Sequence, residues 1–280
     1  MSWTQTPSPR PFPATLLPIL LFCLLPAMLA AETEIPASTL SREICERLTP
    51  QLEMELSEKN LRLGAPVFIR IFKEENLLEL WLKERDQYQL FKTYTICDYS
   101  GELGPKLKEG DRQSPEGFYT VTPEQLNPWS QFHLSFNLGF PNEYDRAHQR
   151  SGSALMVHGR CSSVGCFAMT DFRMEEIYTL VEAALQQGQN SFSVHSFPFR
   201  MTWENLARHQ DSPWIAFWEN LKQGYDAFET HHLPPLIMVE DRRYVIGTYL
   251  ARTVVDTSPQ PRPTSSYASI NALRQDNEAF

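Results

Sequence analysis

Clusters of positive charge are missing from this sequence. Its 25 Lys and Arg are outnumbered by 34 Asp and Glu, giving a net charge of -9 and a pI near 5.3. Binding nucleic acid needs grouped cations to displace counterions from phosphates, so no nucleic acid partner is expected. An unbroken membrane-spanning run is also missing. The longest apolar stretch, Ala14 to Leu29, is interrupted by Pro18 and Pro26 and falls short of the ~18 residues that suit a spanning helix. No internal repeat is visible, and no CxxC or HExxH spacing announces a metal site.

What is present at the start is a pattern for export. Arg10 precedes the apolar run, which closes on Ala27-Met28-Leu29-Ala30-Ala31 before the polar Glu32-Thr33-Glu34. Residues 1–31 therefore read as a signal peptide cleaved near Ala30 or Ala31; if uncleaved, this segment would be the only membrane contact. Removing it leaves Cys45, Cys97, Cys161 and Cys166, an even number in an oxidising compartment, where pairing is favoured.

The periodicity divides the rest. Residues 32–62 form an N-terminal helical segment, with Ser38 and Ser41 as caps and Leu40, Ile44 and Leu48 at helical spacing until Pro50 interrupts and a second short helix follows. Residues 63–200 change to a period of two. Val67, Ile69 and Ile71 alternate, Leu78, Leu80 and Leu82 repeat the pattern across a charged Lys73–Asn76 turn, and Phe132 to Phe140 is read as a further strand. Lys106, Lys108 and Arg112 fall in a glycine-punctuated loop read as a solvated connection. Residues 201–257 form a helical and β-hairpin extension, with strands at Leu236–Val239 and Tyr244–Leu250, and residues 258–280 a disordered tail rich in Pro and Ser. The fold class is α+β, a β-sheet catalytic domain with added N- and C-terminal helices.

One stretch concentrates chemistry: Leu155-Met-Val-His158-Gly159-Arg-Cys161-Ser-Ser163-Val-Gly165-Cys166. A thiol attacks carbonyl carbon as the thiolate, so Cys166 is read as a nucleophile and His158 as its general base and acid. Gly165 allows a turn that aims a backbone amide at an oxyanion, and Ser163 supports the loop. The loop has no Asp or Glu, so the Gly159 carbonyl is the acceptor expected to orient His158. On residues alone two other readings stand, a satisfied core pair and a zinc site at His158, Cys161 and Cys166.

The motif resembles that of the YkuD-type L,D-transpeptidases: His-Gly, a short loop, then Ser-x-Gly-Cys, with Ser114-Pro-Glu-Gly-Phe-Tyr119 in the place of that family's turn and strand. The runs Tyr99–Lys106, Gly139–His148, Cys161–Thr170 and Phe197–Thr202 resemble its YafK branch. Val164 stands where most relatives have His, and Phe167-Ala168 where most have Ile-Arg.

The resemblance implies a YkuD-like β-sheet or sandwich domain and a periplasmic cysteine amidase of a Gram-negative bacterium. Its implied partners are peptidoglycan stem peptides and a lipoprotein C-terminal peptide, cleaved at the amide between meso-diaminopimelate and lysine through a thioester. No cofactor or metal is implied. The alternatives are an L,D-transpeptidase forming crosslinks or lipoprotein attachments, and a non-catalytic wall-binding module. Tyr144 and Arg146 are the expected substrate contacts, the arginine gripping a carboxylate. With Cys166 as the free nucleophile, Cys97 and Cys161 are the preferred disulfide pair; a Cys161–Cys166 bridge would silence the enzyme.

Overall fold

The computed structural model describes Met1 and residues 34–247. The expected signal peptide and the 258–280 tail lie outside the described residues. In chain order the elements are α1 (Thr39–Ser57), β1 (Val67–Phe72), β2 (Leu77–Glu84), β3 (Gln87–Thr95), β4 (Asp98–Tyr99), β5 (Gly117–Val121), β6 (Leu126–Asn127), β7 (Ser135–Asn137), α2 (Glu143–Ala147), β8 (Met156–His158), β9 (Phe167–Ala168), α3 (Asp171–Gln186), β10 (Phe192–Phe197), α4 (Trp203–Arg208), α5 (Ile215–His231), β11 (Leu236–Glu240) and β12 (Arg243–Gly247).

The fold is α+β, with two five-stranded sheets. One has the order β3-β2-β1-β10-β5, the other β4-β9-β8-β7-β6, and β11 pairs with β12 as a separate hairpin. Alternation along β1 explains the layering. Val67, Ile69 and Ile71 join the main core with Phe136, Val157 and Phe167 of the second sheet and with Ile177 and Val181 of α3. Phe72 on the opposite face joins a second cluster with Trp218 and Leu221 of α5.

Helix α1 departs from the expectation of two pieces, because it runs straight through Pro50. A proline inside a helix removes one backbone donor. Here Ile44, Leu48, Leu52 and Leu56 form one buried stripe across the interruption, and the exposed Pro50 takes no place in it. Ser38 and Ser41 close a reciprocal capping box at its start.

The strand expected over Phe132–Phe140 is only three residues long. Leu134, Phe136 and Leu138 are buried as the alternation requires, but Phe132 remains 42% exposed. Lys73, at the start of the charged turn expected between the first two strands, is completely buried. Its ammonium donates to the carbonyls of Glu102, Gly104 and Ser114 and pairs with Glu116 at 2.9 Å. Glu116 in turn accepts from the Gly104 amide and the Trp218 indole. This satisfied buried pair pins the 102–116 loop to the end of β1.

Candidate active site

His158 ends β8, and Cys166 immediately precedes the parallel neighbour β9. The register pairs Val157 with Phe167 and His158 with Ala168. Carried one step back, it sets Cys166 beside Met156, and the Met156 amide donates to the Cys166 sulfur at 3.4 Å. Because side chains alternate along a strand, Met156, His158, Cys166 and Ala168 share one sheet face. The parallel pairing thus turns the cysteine toward the face that carries the histidine.

The loop between them is held at several points. A disulfide joins Cys97, just before β4, to Cys161, with Cα atoms 5.4 Å apart. Next to it, the Asp98 carboxylate accepts from the Ser163 amide at 2.7 Å, and the Arg160 amide donates to Asp171 at 2.6 Å. Gly159 is tightly enclosed: a side chain there would meet Asp171 and the Phe132 carbonyl within 2.8 Å. Gly165 adopts φ +99°, a region open chiefly to glycine. At the loop tip Val164 is 72% exposed.

The carbonyl of Cys166 receives two hydroxyl hydrogen bonds, from Ser163 and from Ser114, both at 2.8 Å. The thiol itself donates toward the Ala154 carbonyl at 3.6 Å. His158 is 3% exposed, with the Phe132 ring centred 4.7 Å away. Its Nδ1 lies 2.6 Å from the Gly159 carbonyl. A carbonyl can only accept, so Nδ1 carries the proton and Nε2 keeps a free lone pair.

Burial dominates the titration of both groups. It holds the His158 imidazole below its ordinary pKa, opposed by the Gly159 hydrogen bond and the charge of Asp98. It raises the Cys166 thiol, opposed by the Met156 amide and Lys106. Both shifts favour the neutral thiol and the neutral imidazole at rest. Cys45, the other free cysteine among the described residues, has been pushed up to about 12 by burial and then by Glu182. It is a poor nucleophile.

Several expectations need correction. The Gly165 amide donates to the Ser100 hydroxyl, so it is engaged rather than free for an oxyanion. Tyr144 and Arg146 line a cleft of about 570 Å³ whose walls include neither Cys166 nor His158. Tyr144 is buried, its ring stacked on Tyr244 at 4.2 Å, because the short helix α2 turns it inward. Arg146 donates to the Pro141 carbonyl. The zinc reading loses a ligand, since the sulfur of Cys161 is committed to the disulfide. Lys106, expected in a solvated connection, is buried against Asp111 at 2.6 Å.

Ser100, Ser114 and Asp98 had no role assigned from sequence. Ser100 and Ser114 sit in runs that carry the family resemblance, which was the available signal, but their partners lie 65 and 52 residues away.

The YkuD domain, described as an L,D-transpeptidase catalytic domain, matches residues 66–194. Over 209 residues the chain is 49% identical to a protein of Escherichia coli strain K12 named "Putative L,D-transpeptidase YafK", covering 75% of this chain and 83% of that one. A protein of the same name from Escherichia coli O157:H7 matches to the same extent. Among solved structures, the K307A mutant of the helical cell shape determining protein Pgp2 from Campylobacter jejuni aligns with a TM-score of 0.40 and 17% identity, over 69% of this chain and 66% of that one.

Proposed function

The chain belongs to the YkuD family of L,D-transpeptidases, and on that premise we propose that it is a cysteine amidase acting on peptidoglycan at meso-diaminopimelate. The bond cleaved is the amide to the C-terminal lysine of an outer-membrane lipoprotein. The observation that carries the reading is the His158 Nδ1 contact with the Gly159 carbonyl, which leaves Nε2 as a base on the sheet face shared with Cys166.

Cys166 sulfur attacks the amide carbonyl carbon while His158 Nε2 takes the thiol proton. The resulting imidazolium, stabilised by the Gly159 carbonyl and the nearby Asp98 charge, returns that proton to the departing lysine amine as the carbon–nitrogen bond breaks. A thioester remains. Water, deprotonated by His158, then attacks it, releasing the diaminopimelate carboxyl group and restoring the thiol. With Gly165 engaged by Ser100, the Cys166 amide is the donor assigned to the oxyanion. The Ser114 and Ser163 hydrogen bonds to the Cys166 carbonyl hold that peptide in place.

Cell-wall material outside the cytoplasm is the matching setting. The Cys97–Cys161 disulfide supports it, because such bonds persist in oxidising compartments like the periplasm. The peptidoglycan stem peptide and the lipoprotein peptide are accordingly the partners proposed.

A second reading, transfer of the acyl group to another amine, is favoured by the name carried by the Escherichia coli relatives. Incubation of purified protein with lipoprotein-linked and unlinked diaminopimelate muropeptides, followed by product separation, decides between them. Release of the lysine peptide without new dimers supports the amidase, and new dimers support transfer. If native protein and Cys166→Ala leave every muropeptide intact while both bind sacculi, the chain is a binding module.

A further inference from the structure

Arg160 brings a cation to the candidate active site that the proposed chemistry leaves unused. Its guanidinium lies over the Phe132 ring, 5.7 Å from the centroid, and the same ring packs 4.7 Å from the imidazole of His158. Among the described residues that guanidinium makes no hydrogen bond and no ion pair. The carboxylate of Asp171 takes the Arg160 backbone amide instead, at 2.6 Å. Lys106, by contrast, is buried and committed to Asp111. In a chain of net charge -9, an exposed arginine without an acidic partner at this place is available to a ligand.

The backbone beneath it is fixed. The Arg160 carbonyl accepts from the Thr170 amide at 2.7 Å, and the next residue, Cys161, is tied to Cys97 by the disulfide. With the guanidinium resting on an aromatic face as well, less freedom is lost on binding than for an arginine on a free loop.

The proposed reaction supplies an anion of the right reach. A C-terminal lysine has its α-amine in the preceding peptide bond, so only its side-chain amine can form the amide to diaminopimelate, and its α-carboxylate stays free. In that reaction the acyl part becomes attached to Cys166, while the departing amine takes its proton from His158 and so lies within hydrogen-bond reach of the imidazole. The methylenes that follow are apolar. Phe132, 42% exposed, offers them an apolar face against the same imidazole. The imidazole and the guanidinium are no further apart than the two ring distances together. An extended lysine spans about 7–8 Å from its amine nitrogen to its carboxylate carbon, enough to reach from one to the other with a hydrogen bond at each end.

We propose that Phe132 and Arg160 form the subsite for the leaving lysine, the ring lining its methylenes and the guanidinium gripping its α-carboxylate through paired hydrogen bonds. This rests on the amidase reading and deepens it: the enzyme then distinguishes a C-terminal lysine from a lysine within a chain, which lacks that carboxylate.

Two substrates test this, each a diaminopimelate muropeptide joined to the side-chain amine of a peptide's last lysine, one ending in the free carboxylate and the other in a carboxamide. The native full chain should cleave the carboxylate form with a kcat/KM roughly tenfold higher, as loss of a charge-assisted pair implies. In Arg160→Gln that ratio should fall to near one, and Arg160→Lys should keep part of it, since a point charge replaces the two-pronged grip. A native ratio near one, with both substrates cleaved, overturns the subsite and leaves the amidase reading standing. A preference that survives Arg160→Gln also overturns it, because another group then reads the carboxylate. Cleavage of neither substrate removes the amidase reading itself, and the subsite with it.

Discussion

Ser114 donates its hydroxyl to the carbonyl oxygen of Cys166 across 2.8 Å, linking the turn before β5 to the peptide that carries the proposed nucleophile. The same serine donates its amide to the Ser100 carbonyl, and Ser100 accepts from Gly165. The cysteine backbone is therefore braced from outside its own loop. Ser114→Ala removes one of two hydroxyl donors to that carbonyl and should lower kcat by roughly fivefold, corresponding to about 1 kcal/mol. Ser163→Ala should do likewise, and the double variant should lose more than the product of the two, since the carbonyl then has neither donor. Steady-state kinetics on a muropeptide substrate read this out; additive losses would show that the two hydroxyls act independently.

The pH dependence follows from the burial of His158. As the proposed base, His158 must be neutral to accept the thiol proton, and burial holds its pKa below the ordinary value of about 6.5. The acid limb of kcat/KM should accordingly lie below pH 6.5, with activity retained as the pH falls through that value. Phe132→Ala, which opens the ring's environment to water, should move the limb upward toward 6.5. Stability has the same sign: an unfolded histidine binds protons more readily than this buried one, so its contribution is lost as pH drops below about 6.5. A limb that does not move in Phe132→Ala would disconnect the profile from His158.

Joining Cys97 to Cys161 closes a loop with a sequence separation of 64. A Cys97→Ser/Cys161→Ser protein should be less stable by about 4 kcal/mol on the chain-entropy estimate. It should also lose activity beyond the effect of partial unfolding, because Asp98 and Ser163 then have no covalent clamp beside them. Urea unfolding, with turnover measured under conditions where the variant is fully folded, separates the two effects.

Glu116 and Lys73 are each fully buried and paired at 2.9 Å. Glu116→Ala leaves the buried Lys73 charge without its carboxylate and removes the acceptor for Gly104 and Trp218. The expected cost is about 3–5 kcal/mol, measured by urea unfolding. A loss below about 1 kcal/mol would show that water enters to replace the carboxylate.

Much of this arrangement was legible because local rules dictated it. The period-two runs of β1 and β2, the serine cap of α1 and the His158–Gly159 contact depend on residues near one another in sequence. The fate of charged and aromatic side chains was not legible in that way. Lys73 and Lys106 look solvated on a linear reading, and Tyr144 looks available to a ligand. Each is buried by elements that arrive from far along the chain.

The sequence by itself determined which atoms were on hand for chemistry, a thiol and an imidazole separated by a glycine-bearing loop, and the alternation that makes β8 a strand. Tertiary structure alone decided that β8 and β9 run parallel in register and that Ser114, from a distant turn, helps hold the Cys166 carbonyl. The physical reason is the range of the forces. Backbone periodicity acts over a few residues, whereas burial and hydrogen-bond satisfaction are settled only when separate segments pack together.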